Sequence, residues 1–399
     1  MRALFVTPYP PKPDGIGEHT RGLVEALRGS AGVDVDVLTL RRPAPSEPTP
    51  GVHRLLSADP RCIRAALDLV DRFRPDVMHY QFAVPAFGLA GLHALQVGAR
   101  VRARNGARLV VTLHEVRREC DLLGPLGRSV YRRVVDLADA VVVHTDEARA
   151  LVVRECGAEP GNVWTMPLGA SEPTPESVDD LTLATVRERY GVSTRPFILS
   201  FGFIHPDKGI EHLVAAAALL RDREPTRAEP VDIVIAGTVR PRGGMFRYFE
   251  AQDHRYEREL RAAVAREGLG AHVRFLGFVP APDVPALFAA ARAVVVPYTK
   301  VTQSSVLSTA TVAGVPVVAS DLPGLREMLG SGGLLVPPGD PSALADALAR
   351  VRDDDAFTLE LRRRQRQRGE QMRFGRVAGE LAARYASLLA GRREAVRAG

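Results

Sequence analysis

The stretch SFGFIHPDKGIEHL (200–213) places chemistry-bearing groups closest together. A strand pattern runs into Gly202, a loop carries Lys208, and Gly209 opens a helical pattern over about 209–222. Backbone N–H groups at a helix start, next to an ammonium, suit a pyrophosphate. The spacing is not that of a P-loop, because GxxxxGK[ST] is absent. Lys208 is one of three lysines, with Lys12 and Lys300, among 53 basic residues, all the others being arginine. A lysine kept in such a chain marks a place for a compact point charge, which arginine does not replace at a tight phosphate site.

A second cradle is YTKVTQSSVLSTATVAGVPVVASD (298–321), where Thr302, Gln303, Ser304 and Ser305 precede a buried helix. Small uncharged residues there let a phosphate or sugar sit against the helix dipole. A third is PYPPKPDGIGEHT (8–20), in which Gly15 and Gly17 precede a helix expected over about 17–29. The glycines let backbone amides approach an anion or a sugar. As a dinucleotide fingerprint this loop fails: it reads G-x-G-x-x-T, and the second strand ends in Arg41-Arg42 where a ribose-binding acid belongs. His114, in LHE (113–115), stands at the carboxyl end of a strand, and His79 and His144 have similar placements.

Other chemistries are excluded by their spacing. Asp34 and Asp36 lie inside a strand pattern and Asp353–Asp355 in a distal turn, so no metal site is expected. Cys62, Cys120 and Cys156 form neither a disulfide framework nor a CxxC knuckle, and read as small buried hydrophobes. No G-x-S-x-G occurs.

The elements that must position these residues alternate, short apolar strands with longer helical patterns, the mark of parallel sheets with crossover helices. Strands are expected at 2–7, 33–40, 76–82, 108–114, 140–145 and 162–167, then at 197–203, 231–238, 272–278, 293–298, 316–320 and 334–337. Thr145 and Asp340-Pro341 supply N-caps for the helices that follow them. The fold class is therefore α/β, with two Rossmann-like doubly wound domains facing an interdomain cleft. The expected boundaries are 1–170, a polar linker at 171–194, 195–375, and a helical tail at 376–399. Ligands in such sheets bind at the carboxyl ends of the strands.

With 399 residues, 46% hydrophobic and 25% charged, the chain has ample material for two cores. No run nears the roughly 18 apolar residues of a membrane span, and the first residues lack the apolar segment of a secretory signal, so a cytoplasmic protein is expected. A net charge of +6 favours anionic partners. The arginines 362, 363, 364, 366 and 368 read as a solvated helix face, and nucleic acid is not an expected partner.

Together, PYPPKPDGIGEHTRGLVEAL, SFGFIHPDKGIEHLVAAA, VRFLGFV with ALFAAARAVVVPY, and AGVPVVASDLPGLREML with GGLLVPPGDPSALADAL resemble the retaining, nucleotide-sugar-dependent glycosyltransferases of the GT-B fold, family GT4. The resemblance spans essentially the whole chain. It implies that Gly15 and Gly17 approach the donor phosphates and reacting sugar, that His114 stands by the transferred sugar, and that Lys208 neutralises the leaving diphosphate. It also implies a donor site completed by Gly202, Thr302, Ser304, Ser305, Val306 and Thr309, and an acceptor near Tyr9, Asp14, Tyr80 and Gln81. The acceptor attacks from the face that the leaving group vacates, assisted by a phosphate oxygen. The nucleoside diphosphate sugar is a co-substrate; no cofactor or metal is implied. Two departures stand out. Phe203 occupies a position where many members carry arginine, and Val301 and Thr309 occupy positions where many carry glutamates. Altered donor recognition, with phosphate binding kept, is the expected consequence.

The implied activity is transfer of a hexose from a nucleoside diphosphate sugar, UDP before GDP, to a small-molecule, natural-product or glycolipid acceptor. Arg117, Arg118, Arg128, Arg132 and Arg133 offer a peripheral contact with an acidic lipid surface. Competing readings are a nucleotide-sugar epimerase of the same fold, an NADP-dependent oxidoreductase prompted by Arg41-Arg42, and a non-catalytic sugar-nucleotide binder.

Overall fold

A computed structural model of the chain describes residues 1–12, 14–29, 32–88, 90–171, 178, 180–192, 195–223, 232–241 and 247–398. The chain divides into two compact units, Met1–Ala170 with Arg373–Gly399, and Ser171–Met372.

The first unit runs β1 (Arg2–Val6), α1 (Gly15–Arg28), β2 (Asp34–Leu40), β3 (Val52–Leu56), α2 (Cys62–Phe73), β4 (Val77–Phe82), α3 (Val84–Phe87), α4 (Ala90–Asn105), β5 (Arg108–Leu113), α5 (Val116–Leu137), β6 (Ala140–Val143), α6 (Asp146–Cys156) and β7 (Val163–Thr165). Its sheet is parallel, in the order β3-β2-β1-β4-β5-β6-β7. The second unit runs α7 (Asp180–Tyr190), β8 (Phe197–Phe201), α8 (Ile210–Arg223), β9 (Asp232–Ala236), α9 (Arg247–Arg266), β10 (Val273–Gly277), α10 (Val284–Ala290), β11 (Ala291–Val296), α11 (Ser305–Val312), β12 (Val317–Ser320), α12 (Pro323–Leu329), β13 (Leu334–Val336), α13 (Pro341–Asp353) and α14 (Asp355–Gly369). Its parallel sheet has the order β10-β9-β8-β11-β12-β13. The last helix, α15 (Phe374–Ala398), belongs to the first unit.

The apolar runs explain the parallel pairing. All six residues of β4 are buried, as are the four of β6 and the four of β12, which requires helices on both faces of each sheet. Leu4, Met78 and Tyr131 fill one side of the first sheet; Phe5, Leu27 and Tyr385 fill the other. The three cysteines are free and buried. Thr145 and Asp340 cap their helices, accepting from Ala148 N–H and from Ser342 and Ala343 N–H. The two sheets are doubly wound, and each reverses strand order once, between β1 and β4 and between β8 and β11. Crevices for ligands form at such reversals.

Four sequence expectations change. β3 was not expected; it is a half-buried edge strand of five residues behind a proline-rich loop, too short and too polar for its pattern to stand out. The linker at 171–194 contains α7, whose Arg189 and Tyr190 bond Asp283 just before α10, at 2.7 Å each. The helical tail expected at 376–399 lies, over its described residues, in α15, which packs on α1 and buries Val377, Ala378, Leu381 and Tyr385 in the first core. The arginine run is only partly solvated. Arg362 donates to Ala291 O and Arg368 to Met328 O and Glu327 O, whereas Arg363 and Arg364 pair with Glu360. Among the described residues no helix is long and apolar enough to cross a membrane.

Candidate functional site

In the second unit the groups singled out in sequence converge on the β8–β11 reversal. The Lys208 ammonium lies 3.8 Å from the centre of the Tyr298 ring, which follows β11. Its loop is tied to the same strand end by the Thr299 N–H, which donates to Asp207 O at 3.0 Å. Gly202, just past β8, faces the start of α11: a Cβ there would stand 3.5 Å from a Val306 methyl. Ser304 is the α11 N-cap, its hydroxyl accepting from Leu307 N–H at 3.2 Å, while Ser308 N–H begins the helical ladder on Ser304 O. That leaves the Ser305 and Val306 amides, the first two of the helix, for an outside acceptor, with Ser305 exposed. Thr302 precedes this turn, its carbonyl packed on Gly324. Thr309 lies one turn on, its hydroxyl donating to Ser305 O at 2.9 Å.

One expected cradle is filled from within. The Ile210 and Glu211 amides at the start of α8 donate to the Tyr256 hydroxyl, at 2.9 and 3.4 Å, and that hydroxyl donates to the Glu211 carboxylate. Burial, followed by the Glu211 charge, raises the Tyr256 pKa, so it stays a neutral cap. The α8 amides are thus spoken for, and Lys208 is the group this loop presents. Nothing in 200–213 signals this, because Tyr256 lies on α9.

The first unit answers differently. α1 starts at Gly15, earlier than expected, with buried Asp14 as N-cap accepting from Ile16 N–H at 2.9 Å. A carboxylate therefore already sits at the positive end of this helix, with the Lys12 ammonium 3.9 Å away. Gly17 packs on the Pro8 carbonyl, while Gly15 is exposed with open space where a Cβ would be. His114 stands at the end of β5, its Nε2 2.7 Å from Gln81 Oε1. Gln81 reaches on to Thr112, and Thr112 lies 2.7 Å from His79, whose other nitrogen meets the Tyr385 hydroxyl of α15.

The four side chains expected to meet an acceptor are instead committed inside this unit. Tyr9, Asp14, Tyr80 and Gln81 are 6%, 2%, 2% and 1% exposed. Tyr9 packs with Leu23, Val24 and Leu27; the Tyr80 hydroxyl donates to Ala94 O at 3.0 Å; Asp14 caps α1; Gln81 orients His114. The resemblance implied Tyr80 and Gln81 as acceptor neighbours; in the structure both faces of β4 are covered and the two side chains are buried.

Sequence reasoning missed His19. Its ring packs against His114 and His144 with centroids 5.9 and 5.8 Å apart, and those two lie 5.3 Å apart. Burial, then the neighbouring histidines, pushes His19 and His79 down to about 3 and holds His114 well below the usual range. Burial also takes His144 down to about 4, against the Met166 carbonyl that it bonds. The cluster is a set of neutral imidazoles at neutral pH. Glu119, buried at the start of α5, accepts from Val84 N–H and the Tyr131 hydroxyl, yet burial lifts it to about 7. Among the described residues no group of three histidine, cysteine or acidic side chains is arranged to hold a metal.

Comparison with known proteins settles the family. Residues 13–171 match the description "Glycosyltransferase Family 4" and residues 185–372 match "Glycosyl transferases group 1". The chain belongs to the group 1 glycosyltransferases, family 4. It is similar to the alpha-D-kanosaminyltransferase of Streptomyces kanamyceticus, 28% identical over 58% of this chain and 55% of that one. The chain thus spans little more than half the length of that relative. It is also similar to a D-inositol 3-phosphate glycosyltransferase of Pseudarthrobacter chlorophenolicus, 29% identical over 91% of this chain and 88% of the relative. Among solved structures, Anabaena HepE in complex with UDP-glucose superposes with a TM-score of 0.71 at 20% identity, covering 97% of this chain and 100% of that one. The fold is GT-B.

Within this glycosyltransferase the departures noted in sequence have definite surroundings. Val301 is half-buried beside Lys300, and Thr309 already uses its hydroxyl proton on the helix backbone, leaving lone pairs to accept. Phe203 stacks on a guanidinium from the next strand end, that of Arg240.

Proposed function

We propose that this glycosyltransferase moves a hexose, with retention, from a nucleoside diphosphate sugar to a small-molecule, natural-product or glycolipid acceptor. UDP is the first expectation for the nucleotide and GDP the second. The observation that carries the reading is the β8–β11 reversal, where the Lys208 ammonium and the open start of α11 flank Gly202. An anion leaving with its charge on a diphosphate needs preplaced cations and amides of this kind. Lys208 neutralises the leaving group, and Gly202, Thr302, Ser304, Ser305, Val306 and Thr309 form the donor wall. His114, held by Gln81, stands by the transferred sugar, with Gly15 open to approach.

The similar fold of Anabaena HepE, which holds UDP-glucose, supports a UDP-sugar donor. The relatives' names, a kanosaminyltransferase and an inositol 3-phosphate glycosyltransferase, support a polar small-molecule acceptor. The protein needs no metal and works in the cytoplasm. A peripheral membrane contact is supported by α5, which kinks at Gly124-Pro125 and exposes Leu122 and Leu126 between arginines. The charge of this segment is that of Arg117, Arg118, Arg128, Arg132 and Arg133, of which Arg117 and Arg128 pair with Glu147 and Glu155.

Thermal shift with UDP, GDP, TDP, ADP and NADPH tests the reading. A ligand at 100 times its dissociation constant adds about 2.7 kcal/mol, a rise of several degrees. Selective stabilisation by one nucleoside diphosphate is the expected result. A response to NADPH alone would replace the transferase with an oxidoreductase, and consumption of the donor sugar without an acceptor would replace it with an epimerase.

A further inference from the structure

The ends of β8 and β9 are joined by their backbones. Gly202 N–H donates to Ala236 O at 2.9 Å and Ile204 N–H to Thr238 O at 3.0 Å. Gly202 (φ 115°) and Gly237 (φ 158°) lie so close that a Cβ on Gly237 would collide with the Gly202 carbonyl. Only glycine permits that approach and those angles. Ile204 and Val239 are buried beneath the two loops. The half-buried residues beside them, Phe203 and Arg240, are brought together, with the guanidinium carbon 5.6 Å from the centre of the ring. An aromatic face at that distance attracts the cation and restrains its sweep.

We propose that Arg240 is a second cation for the diphosphate, held by Phe203 on the β9 side of the β8 end, as Lys208 is held by Tyr298 on the β11 side. This rests on the reading of that strand edge as the donor site. A nucleoside diphosphate departs with roughly two to three negative charges. One ammonium and two amides leave part of that charge uncompensated, and a guanidinium fork can take two phosphate oxygens at once. As the bond from the sugar's anomeric carbon to the β-phosphate oxygen breaks, its electron pair stays on that oxygen. Arg240 meets the resulting charge and forms no covalent bond. The stacking on Phe203 gives the position a function that does not require an arginine in the β8 loop itself.

The test compares the full-length wild type with Arg240→Ala, Arg240→Lys, Phe203→Ala and Lys208→Ala. Each is titrated with whichever of UDP, GDP, TDP and ADP stabilises the wild type most, and with the corresponding monophosphate. Arg240→Ala is expected to weaken the diphosphate about tenfold or more and the monophosphate less than about twofold. Arg240→Lys should recover part of the loss, and Phe203→Ala should show a smaller loss of the same kind. An Arg240→Ala variant that binds the diphosphate as the wild type does, or weakens both nucleotides equally, overturns the assignment while Lys208→Ala still binds weakly. A wild type stabilised by none of the four, or normal binding by Lys208→Ala, overturns the donor-site reading and this inference with it.

Discussion

At the reversal point of the first sheet the strand ends carry neutral imidazoles, an amide and a carboxylate cap; at that of the second they carry an ammonium and an open helix start. The scaffolds are alike, two doubly wound parallel sheets, so topology does not cause the difference. Its cause is what each strand-end loop does with the positive end of its helix. In the first unit Asp14 closes α1, and a second anion there would face a carboxylate. In the second unit Ser304 closes only one amide of α11 and adds no charge, while Tyr256 closes α8. This difference supports the proposed placement of the anionic leaving group in the second unit. The first holds neutral histidines and an amide that bond within the unit and place no net charge at its strand ends.

Breaking the second unit's half should have the largest effect. Lys208→Ala is expected to lower turnover about 10²–10³-fold, as loss of one preplaced group facing developing charge does elsewhere. Circular dichroism should show an unchanged fold, since the ammonium packs on one ring face. Turnover near that of the wild type would reverse the division drawn between the units.

Acid should strike the first unit next. His19 and His79, at about 3, and His144, at about 4, stay neutral when folded but take up protons near 6.5 when unfolded. Their contribution is fully present above pH 6.5 and is lost as pH falls from there towards 4 and 3. Glu119, raised to about 7 when folded, acts in the opposite sense between about 4.5 and 7, one group against several. Melting temperature is therefore expected to drop by several degrees between pH 7.5 and 5, and to drop less in His19→Phe. A flat profile would show that the cluster is not held neutral.

The smallest effect is expected at Gln81. Gln81→Leu removes the acceptor from His114 Nε2, one of the contacts that orient the ring. Turnover should fall about tenfold while nucleoside diphosphate affinity, proposed to rest on the other unit, stays the same. A loss of nucleotide affinity in this variant would argue against independent roles.

Much of the fold was readable because a parallel sheet buried on both faces writes itself as apolar runs, as in β4, β6 and β12, whereas the half-buried β3 did not. The caps at Thr145 and Asp340 were readable too, since capping is local. Lys208, Gly202 and the Ser304–Val306 turn were legible as a group: each stands where a strand ends and a helix begins, and such loops converge on a reversal point. The burial of the residues expected near an acceptor was not legible. Tyr80 and Gln81 differ from a surface pair only through helices that cover them, and Tyr9 only through α1 and α15.

Local sequence alone determined the strands, the caps, the glycine-bearing turns and the position of Lys208, because backbone sterics and short-range hydrogen bonds act over a few residues. The tertiary structure decided which helix starts stay open, which histidines meet, and where α15 packs. Tyr256 reaches α8 from 46 residues away and Tyr385 reaches His79 from 306 away. A partner that distant leaves no trace in the segment it satisfies, since what it supplies is one hydrogen bond in space and not a pattern along the chain.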